Sequence, residues 1–409
     1  MNTCTTTCKK WCGMLLIGFT LLLSLPVAQA DLPLKTGVEL AAHCPPYFRL
    51  DSQNRCQLTT LYDAYPSANE KWGGYRIALP PRRDGFSPQQ IDLGRYLFFD
   101  PILSEDGRLS CAHCHHPQFN LGDGRATSIG RNGNGLGPTR EGGENLNRGA
   151  PGLWNLAFQQ TFFWDSRADS LESQIEIVLH NAQEMATTPE AVVARINAVP
   201  EYHRLFQQAF GVDRVDYTVL LTALTAFESS IVSLNSRYDH YIHGAREALS
   251  EQELNGLHIF RSFASRCSQC HTPPLFTSGQ LATTGVPAPP HAAFDSGAQA
   301  ITGEATLRGA FKVPSLRNVA LTAPYMHAGQ FGSLHETIAF YNAEPGHAVT
   351  SQSGLTMHWH MVNPNLRDDE IDDLVAFLGA LTDNSALPAI PLTLPSGHVV
   401  PRCLNECLQ

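Results

Sequence analysis

The pentapeptide Cys-x-x-Cys-His occurs twice, as Cys111-Ala112-His113-Cys114-His115 and as Cys267-Ser268-Gln269-Cys270-His271. This pattern is the attachment signature of a c-type haem. Its cysteines form thioethers with the porphyrin vinyl groups, and its histidine becomes the proximal iron ligand. With 11 Cys and 17 His in 409 residues, chance supplies on the order of 0.01 copies per chain. A redox dithiol needs no fixed histidine, and neither copy has a second Cys/His pair at zinc-finger spacing. Two covalently bound haem c groups are expected, with His115 and His271 as their iron ligands.

One haem site in each half of the chain predicts two haem domains. An apolar fraction of 43% is that of a well-cored globular protein. The net charge of −10 argues against nucleic acid and anionic membrane as partners.

Lys9 and Lys10 precede an apolar run from Met14 to Leu25, and Ala28-Gln29-Ala30 follows it. This reads as a secretory signal peptide over residues 1–30, cut before Asp31. The run is too short to span a bilayer comfortably. Beyond the signal and the haem cysteines remain Cys44, Cys56, Cys403 and Cys407. An even remainder in an oxidising compartment implies disulfides with three pairings open, of which the locally close Cys44–Cys56 and Cys403–Cys407 are favoured. Together with haem c attachment, this points to an exported, periplasmic protein.

Residues 31–85 read as a Pro-rich, Cys-containing extension. Helical spacing begins at Ser87, an N-cap with Gln90 completing a capping box, and runs through Ile91, Leu93, Tyr96 and Leu97. A Gly-rich loop fills 122–152. Helical patterns follow over Leu171–Glu184 and Tyr217–Leu234, after a Ser250 cap, and over Arg367–Leu381. No β alternation is sustained. The fold expected is mostly α: two cytochrome c-like haem domains, 86–245 and 246–385, with long irregular loops and a Cys-bearing tail at 386–409.

Three further strings are similar to the bacterial dihaem cytochrome c peroxidase and MauG family: Leu93 to Asp100, Phe163 to Ala168, and Val313 to Tyr325. The resemblance covers roughly residues 86–385. It implies that the N-terminal haem meets hydrogen peroxide while the C-terminal haem stores or relays oxidising equivalents. Trp164 matches the tryptophan that lies between the irons. Gln174 and Glu184, ten and twenty residues further on, match the distal pocket of the peroxidatic haem. A carboxylate with its pKa raised by desolvation can shuttle the proton that splits peroxide, so Glu184 is the expected acid/base and Gln174 its hydrogen-bonding companion.

Axial ligands separate subgroups of that family. The histidine that blocks the first iron in many peroxidases is replaced here by Arg131, leaving that haem open at rest. At the second haem, peroxidases supply methionine fourteen residues after the position of His327; here it is Tyr341, as in MauG-type enzymes. Phenolate is a hard anionic donor suited to oxidised iron. Met326, Met357, Met361, His358 and His360 are rival ligands. The family's calcium between the haems would use the carbonyls of Thr322 and Pro324, but its Asn position is Gly149, with Asn147 nearby. MauG's surface tryptophan two residues before the second motif is Ser265 here, with only Phe260 and Phe263 in its neighbourhood, so any exit route must differ.

The resemblance therefore implies a periplasmic oxidoreductase that reacts with hydrogen peroxide and uses a high-valent dihaem state to oxidise a partner protein. The rival activities are a cytochrome c peroxidase fed by a small cytochrome and a non-catalytic dihaem electron-transfer cytochrome.

Overall fold

Ser87 opens the first long helix by reciprocal capping: its hydroxyl accepts from Gln90 N at 3.2 Å, and Gln90 Oε1 accepts from Ser87 N at 3.0 Å. Ser250 and Glu253 repeat this device at the helix before the second haem motif. The computed structural model describes residues 37–64, 79–290, 292–343, 354–383 and 385–403. The chain divides into two units, Met1–Gly37 and Val38–Gln409, and the second holds both haem motifs. The expected signal peptide and Cys407 lie outside the described residues.

Among the described residues, the helices of nine residues or more are α1 (Pro88–Phe99), α2 (Leu171–His180), α3 (Pro189–Asn197), α4 (Pro200–Phe210), α5 (Tyr217–Ser229), α6 (Glu251–Arg261), α7 (Leu334–Ala343) and α8 (Asp368–Gly379). Two small antiparallel sheets accompany them: β1 (Phe48–Leu50) with β2 (Cys56–Leu58), and β3 (Leu281–Thr283) with β4 (Ala310–Lys312). A Cys44–Cys56 disulfide staples the first sheet. The fold is mostly α, as expected. No described helix is long and apolar enough to cross a membrane.

Two helices end earlier than their apolar spacing suggests. The pattern from Leu171 continues to Glu184, yet α2 stops at His180. Asn181 intervenes: its side-chain oxygen accepts from Gln183 N at 3.1 Å and its carbonyl from Glu184 N at 2.9 Å. Short polar side chains compete with the helical ladder in this way. Beyond α5, Ile231 and Ser233 instead bond Asn155, whose side chain accepts from Ser233 N at 3.0 Å and donates to Ser233 O at 3.0 Å.

Each haem motif follows a helix that crosses a later one through a glycine. In α1, a Cβ at Gly94 would lie 2.0 Å from the Ala223 carbonyl oxygen of α5. In α6, a Cβ at Gly256 would lie 2.0 Å from the Asp373 carbonyl oxygen of α8. Both backbones touch where a side chain would separate them. Gly94→Ala and Gly256→Ala should each cost about 1–3 kcal/mol by overpacking, measured by denaturant unfolding. A change within about 0.5 kcal/mol would contradict the close approach.

The two largest hydrophobic clusters among the described residues form around these crossings. The first joins Leu93, Leu97 and Phe98 of α1 to Tyr202 and Phe206 of α4 and Leu220, Leu224 and Phe227 of α5. The second joins Leu257 and Phe260 of α6 to Leu374 and Phe377 of α8, with Tyr238 and Phe276. The tail returns to the first core, where Leu394 and Val400 are buried. Ser396 Oγ donates to Asp100 Oδ1 at 2.7 Å, and the Pro401 carbonyl meets His116 Nε2 at 3.2 Å.

In the second half, Arg317 makes a fully buried bidentate pair with Asp239, at 2.5 and 2.7 Å. The guanidinium also donates to the Pro274 carbonyl and to Ser236 Oγ, and Tyr62 OH donates to Asp239 at 2.6 Å. This pair ties the Val313–Tyr325 string to the Arg237–Ile242 helix.

Candidate active site

The first motif forms a short 3-10 turn, Cys111–His113, just beyond α1. The chain then doubles back through Asn120 and Leu121, both left-handed at φ 54° and 66°, which brings the Leu121 carbonyl to 3.0 Å from His115 Nδ1. The second motif is one helical turn, Cys267–Cys270. His271 Nδ1 sits 3.2 Å from the Phe276 carbonyl and 3.1 Å from the Pro314 carbonyl. In each case the backbone takes Nδ1–H, so Nε2 remains as the ligand atom. Burial lowers both imidazole pKa values, that of His271 to about 4. The neutral ring is the form that binds iron.

Both motifs open on one continuous cavity of about 1240 Å³. That exceeds the roughly 300–1,000 Å³ of a single drug-sized ligand site. Cys114, His115, Cys267, Cys270 and His271 line it; Cys111 does not, but packs against the first core one turn from Cys114. The four motif sulfurs are free thiols. Trp154 Nε1 and His360 Nε2, both on residues of the wall, are buried polar atoms without protein partners. Free thiols, oriented histidines and unpartnered polar atoms around a large, mainly apolar, half-open cavity fit two c-type haems.

The expected site residues Trp164, Gln174, Glu184 and Tyr341 all reach this cavity. Glu184 lies in the turn that ends α2, where Asn181 Nδ2 donates to its Oε1 at 2.6 Å. The turn is pinned from outside: Arg131 N donates to the Gln183 carbonyl at 2.8 Å, and a Cβ at Gly130 would lie 2.0 Å from that oxygen. Burial raises the Glu184 pKa above its ordinary value, against the lowering influence of Asn181 and Arg167. Gln174 faces the cavity from α2, one helix face earlier. Trp164 is held from both sides: its indole donates to the Gly149 carbonyl at 3.0 Å, and its carbonyl accepts from Lys312 N at 2.7 Å.

Arg131, standing where some relatives carry a histidine ligand, does not line the cavity. Its guanidinium pairs with Glu105 at 2.6 Å. Tyr341 enters the wall from α7, edge-on to Phe340 at 5.3 Å between ring centres. It packs with Leu355, Met357 and Met361. Of the rival ligands, Met326, His360 and Met361 line the cavity, whereas Met357 and His358 do not.

For calcium, Thr322 and Pro324 line the wall, as does Asn147. Gly149 offers no side-chain oxygen, its carbonyl accepts the Trp164 indole, and a Cβ there would lie 2.9 Å from the Ala126 carbonyl oxygen. The side-chain oxygen would have to come from Asn147 in place of Gly149, and no step is derived through calcium.

Several participants carry no sequence signal of their own. Asn181 is one, although its spacing to Glu184 is that of a capping side chain. Lys312 is another: its ammonium donates to Gln159 Oε1 at 2.6 Å and the Thr161 carbonyl at 2.7 Å, and burial lowers its pKa to about 8. Glu228 is buried near Cys111 with Oε2 unpartnered, and burial, then Glu172, pushes its pKa up to about 8.

The family model described as di-haem cytochrome c peroxidase (CCP_MauG) matches residues 88–247. The chain is 32% identical over 337 residues to the cytochrome c551 peroxidase of Nitrosomonas europaea, covering 82% of this chain and 91% of that protein. It is 34% identical over 312 residues to the methylamine utilization protein MauG of Methylorubrum extorquens, covering 76% of this chain and 83% of that protein. The crystal structure of a MauG-like protein associated with microbial copper homeostasis matches with TM-score 0.66 at 31% identity, over 78% of this chain and 97% of that one. The chain belongs to the di-haem cytochrome c peroxidase/MauG family. It is a dihaem c-type oxidoreductase, and its relatives carry both names.

Proposed function

We propose that this chain uses hydrogen peroxide to oxidise a side chain of a partner protein, acting in the periplasm as a MauG-like enzyme. The observation that carries this reading is the pair of substituted axial positions. Arg131 pairs with Glu105 away from the cavity, leaving the His115 side without an opposing protein ligand from that position, while Tyr341 reaches the wall of the cavity that both motifs line. When bound, the haem irons supply the electron-transfer chemistry that peroxide reduction needs.

The chain's own residues handle the protons. Asn181 occupies Glu184 Oε1, leaving Oε2 to take a proton from one peroxide oxygen and return it to the other. Gln174 offers an amide to hold peroxide or water across from it. Trp164, held by the Gly149 carbonyl and Lys312 N at the wall of the shared cavity, is the aromatic ring we assign to relay between the haems. The net reaction is H2O2 + 2 H⁺ + 2 e⁻ to 2 H2O, and the two electrons come from the partner side chain.

Met361, which lines the same wall and packs on Tyr341, supports a second reading in which a thioether favours reduced iron and a small cytochrome feeds the enzyme. Resting-state optical and EPR spectra of two variants decide. Tyr341→Phe should abolish the low-spin character of the second haem and Met361→Leu should retain it. The reverse pattern, with rapid peroxide turnover on reduced small cytochrome and no protein oxidation, would leave the cytochrome-fed peroxidase. A plain electron-transfer cytochrome would show neither peroxide turnover nor protein oxidation.

A further inference from the structure

Ser265 leaves the position of MauG's exit tryptophan without an oxidisable ring, so the path from the second motif to the surface has to be sought elsewhere. Among the described residues, one exposed indole lies beside that motif. Trp359 is 64% exposed, in a turn fixed by His358 N donating to the Thr283 carbonyl at 2.9 Å and Met361 N to the His358 carbonyl at 2.8 Å. Its ring centre lies 3.5 Å from that of His360. His360 Nδ1 in turn lies 3.5 Å from Cys270 Sγ, one of the two sulfurs through which the second haem would be attached. His360 lines the cavity. A chain of contacts therefore runs from the haem-bearing sulfur through one imidazole to an exposed indole.

We propose that Trp359 is the surface relay through which electrons from an oxidisable aromatic side chain of a docked protein reach the second haem. This rests on the peroxide-driven reading above and deepens it. In each transfer Trp359 gives one electron inward by way of His360 and regains one from the donor, so it is unchanged after a cycle. Two such transfers supply the electrons that reduce one hydrogen peroxide, with two protons, to two waters.

The neighbouring surface supports a protein donor. Phe263 is 75% exposed, and Arg266 packs over its ring at 4.7 Å while donating to the Trp359 carbonyl at 3.5 Å. Exposed aromatics and arginine are the residue types enriched at binding hot spots, and here two aromatics flank one arginine. Phe263 itself is no rival as relay, because a phenyl ring is far harder to oxidise than an indole. Cys270, His358 and His360 bring potential ligand atoms within 4.8 Å of one another, but the sulfur's commitment to haem leaves this cluster as a conduit and not a second metal site.

The test treats the holoprotein with one equivalent of peroxide and no partner, follows the return of the ferric spectrum, and maps oxidised residues by peptide mass spectrometry. Without a donor the electron deficit should settle on Trp359, which gains oxygen. In Trp359→Phe the return should slow roughly tenfold, and Trp359→Tyr should restore most of it. Ready reaction with peroxide, but an unmodified Trp359 and wild-type decay in Trp359→Phe, would overturn the relay and leave the peroxide reading standing. No spectral response of the wild type to peroxide would overturn both.

Discussion

Glu184→Gln is expected to keep both haems and to react with hydrogen peroxide about 10²–10⁴-fold more slowly than the wild type, the usual loss on removing a general acid/base. That corresponds to about 2.7–5.5 kcal/mol of barrier. The substitution keeps the size of the side chain and leaves an oxygen to accept from Asn181 Nδ2, so the turn ending α2 should persist. What disappears is the group that can take a proton. Burial raises the Glu184 pKa, and only its deprotonated form can accept the first proton. The wild-type rate should therefore climb as pH rises through a pKa above the ordinary carboxylate range, and this limb should vanish in the Gln variant. Stopped-flow mixing across pH checks both points. Equal rates and equal profiles would assign Glu184 to structure.

Asp239→Ala should be the most damaging single change to stability. It would leave the Arg317 guanidinium buried among Pro274, Ser236 and Tyr62 with no counter-charge. Breaking a fully buried pair by removing one partner costs about 3–5 kcal/mol. Replacing both partners, as in Asp239→Leu with Arg317→Met, should recover much of that loss, because no charge is then stranded. Apparent melting temperatures of wild type, single and double variant test this. A single variant as stable as wild type would contradict it, as would a double variant worse than the single.

What can be read from the sequence is local. Both capping boxes, Ser87–Gln90 and Ser250–Glu253, are three-residue devices, and both form as expected. The haem motifs are equally local, and the positions that the family resemblance implies, Trp164, Gln174, Glu184 and Tyr341, all reach the cavity wall. Apolar periodicity misplaces helix ends where a polar side chain outcompetes the ladder, since it continues through Asn181 and past Ser229 regardless. Contacts between distant segments leave no local trace. Leu394 and Val400 bury themselves in the core that Leu93 and Leu97 begin, and nothing near them says so. Gly94 and Gly256 are visible only as glycines inside helical patterns. Their partners Ala223 and Asp373 are not. Trp359 is similarly silent, because its meaning comes from His360 and Cys270, and only folding brings that cysteine within reach.

The central claim is that this chain leaves its first haem site ready for peroxide without prior reduction. It follows from Arg131 being held by Glu105 away from the cavity while Glu184 stays poised at its wall. The direct measurement mixes the fully oxidised holoprotein with hydrogen peroxide, in the absence of any reductant, and follows the haem absorption by stopped flow. The expected result is an immediate spectral change whose rate is proportional to peroxide concentration. A protein that stays inert until one haem has been reduced would contradict the account.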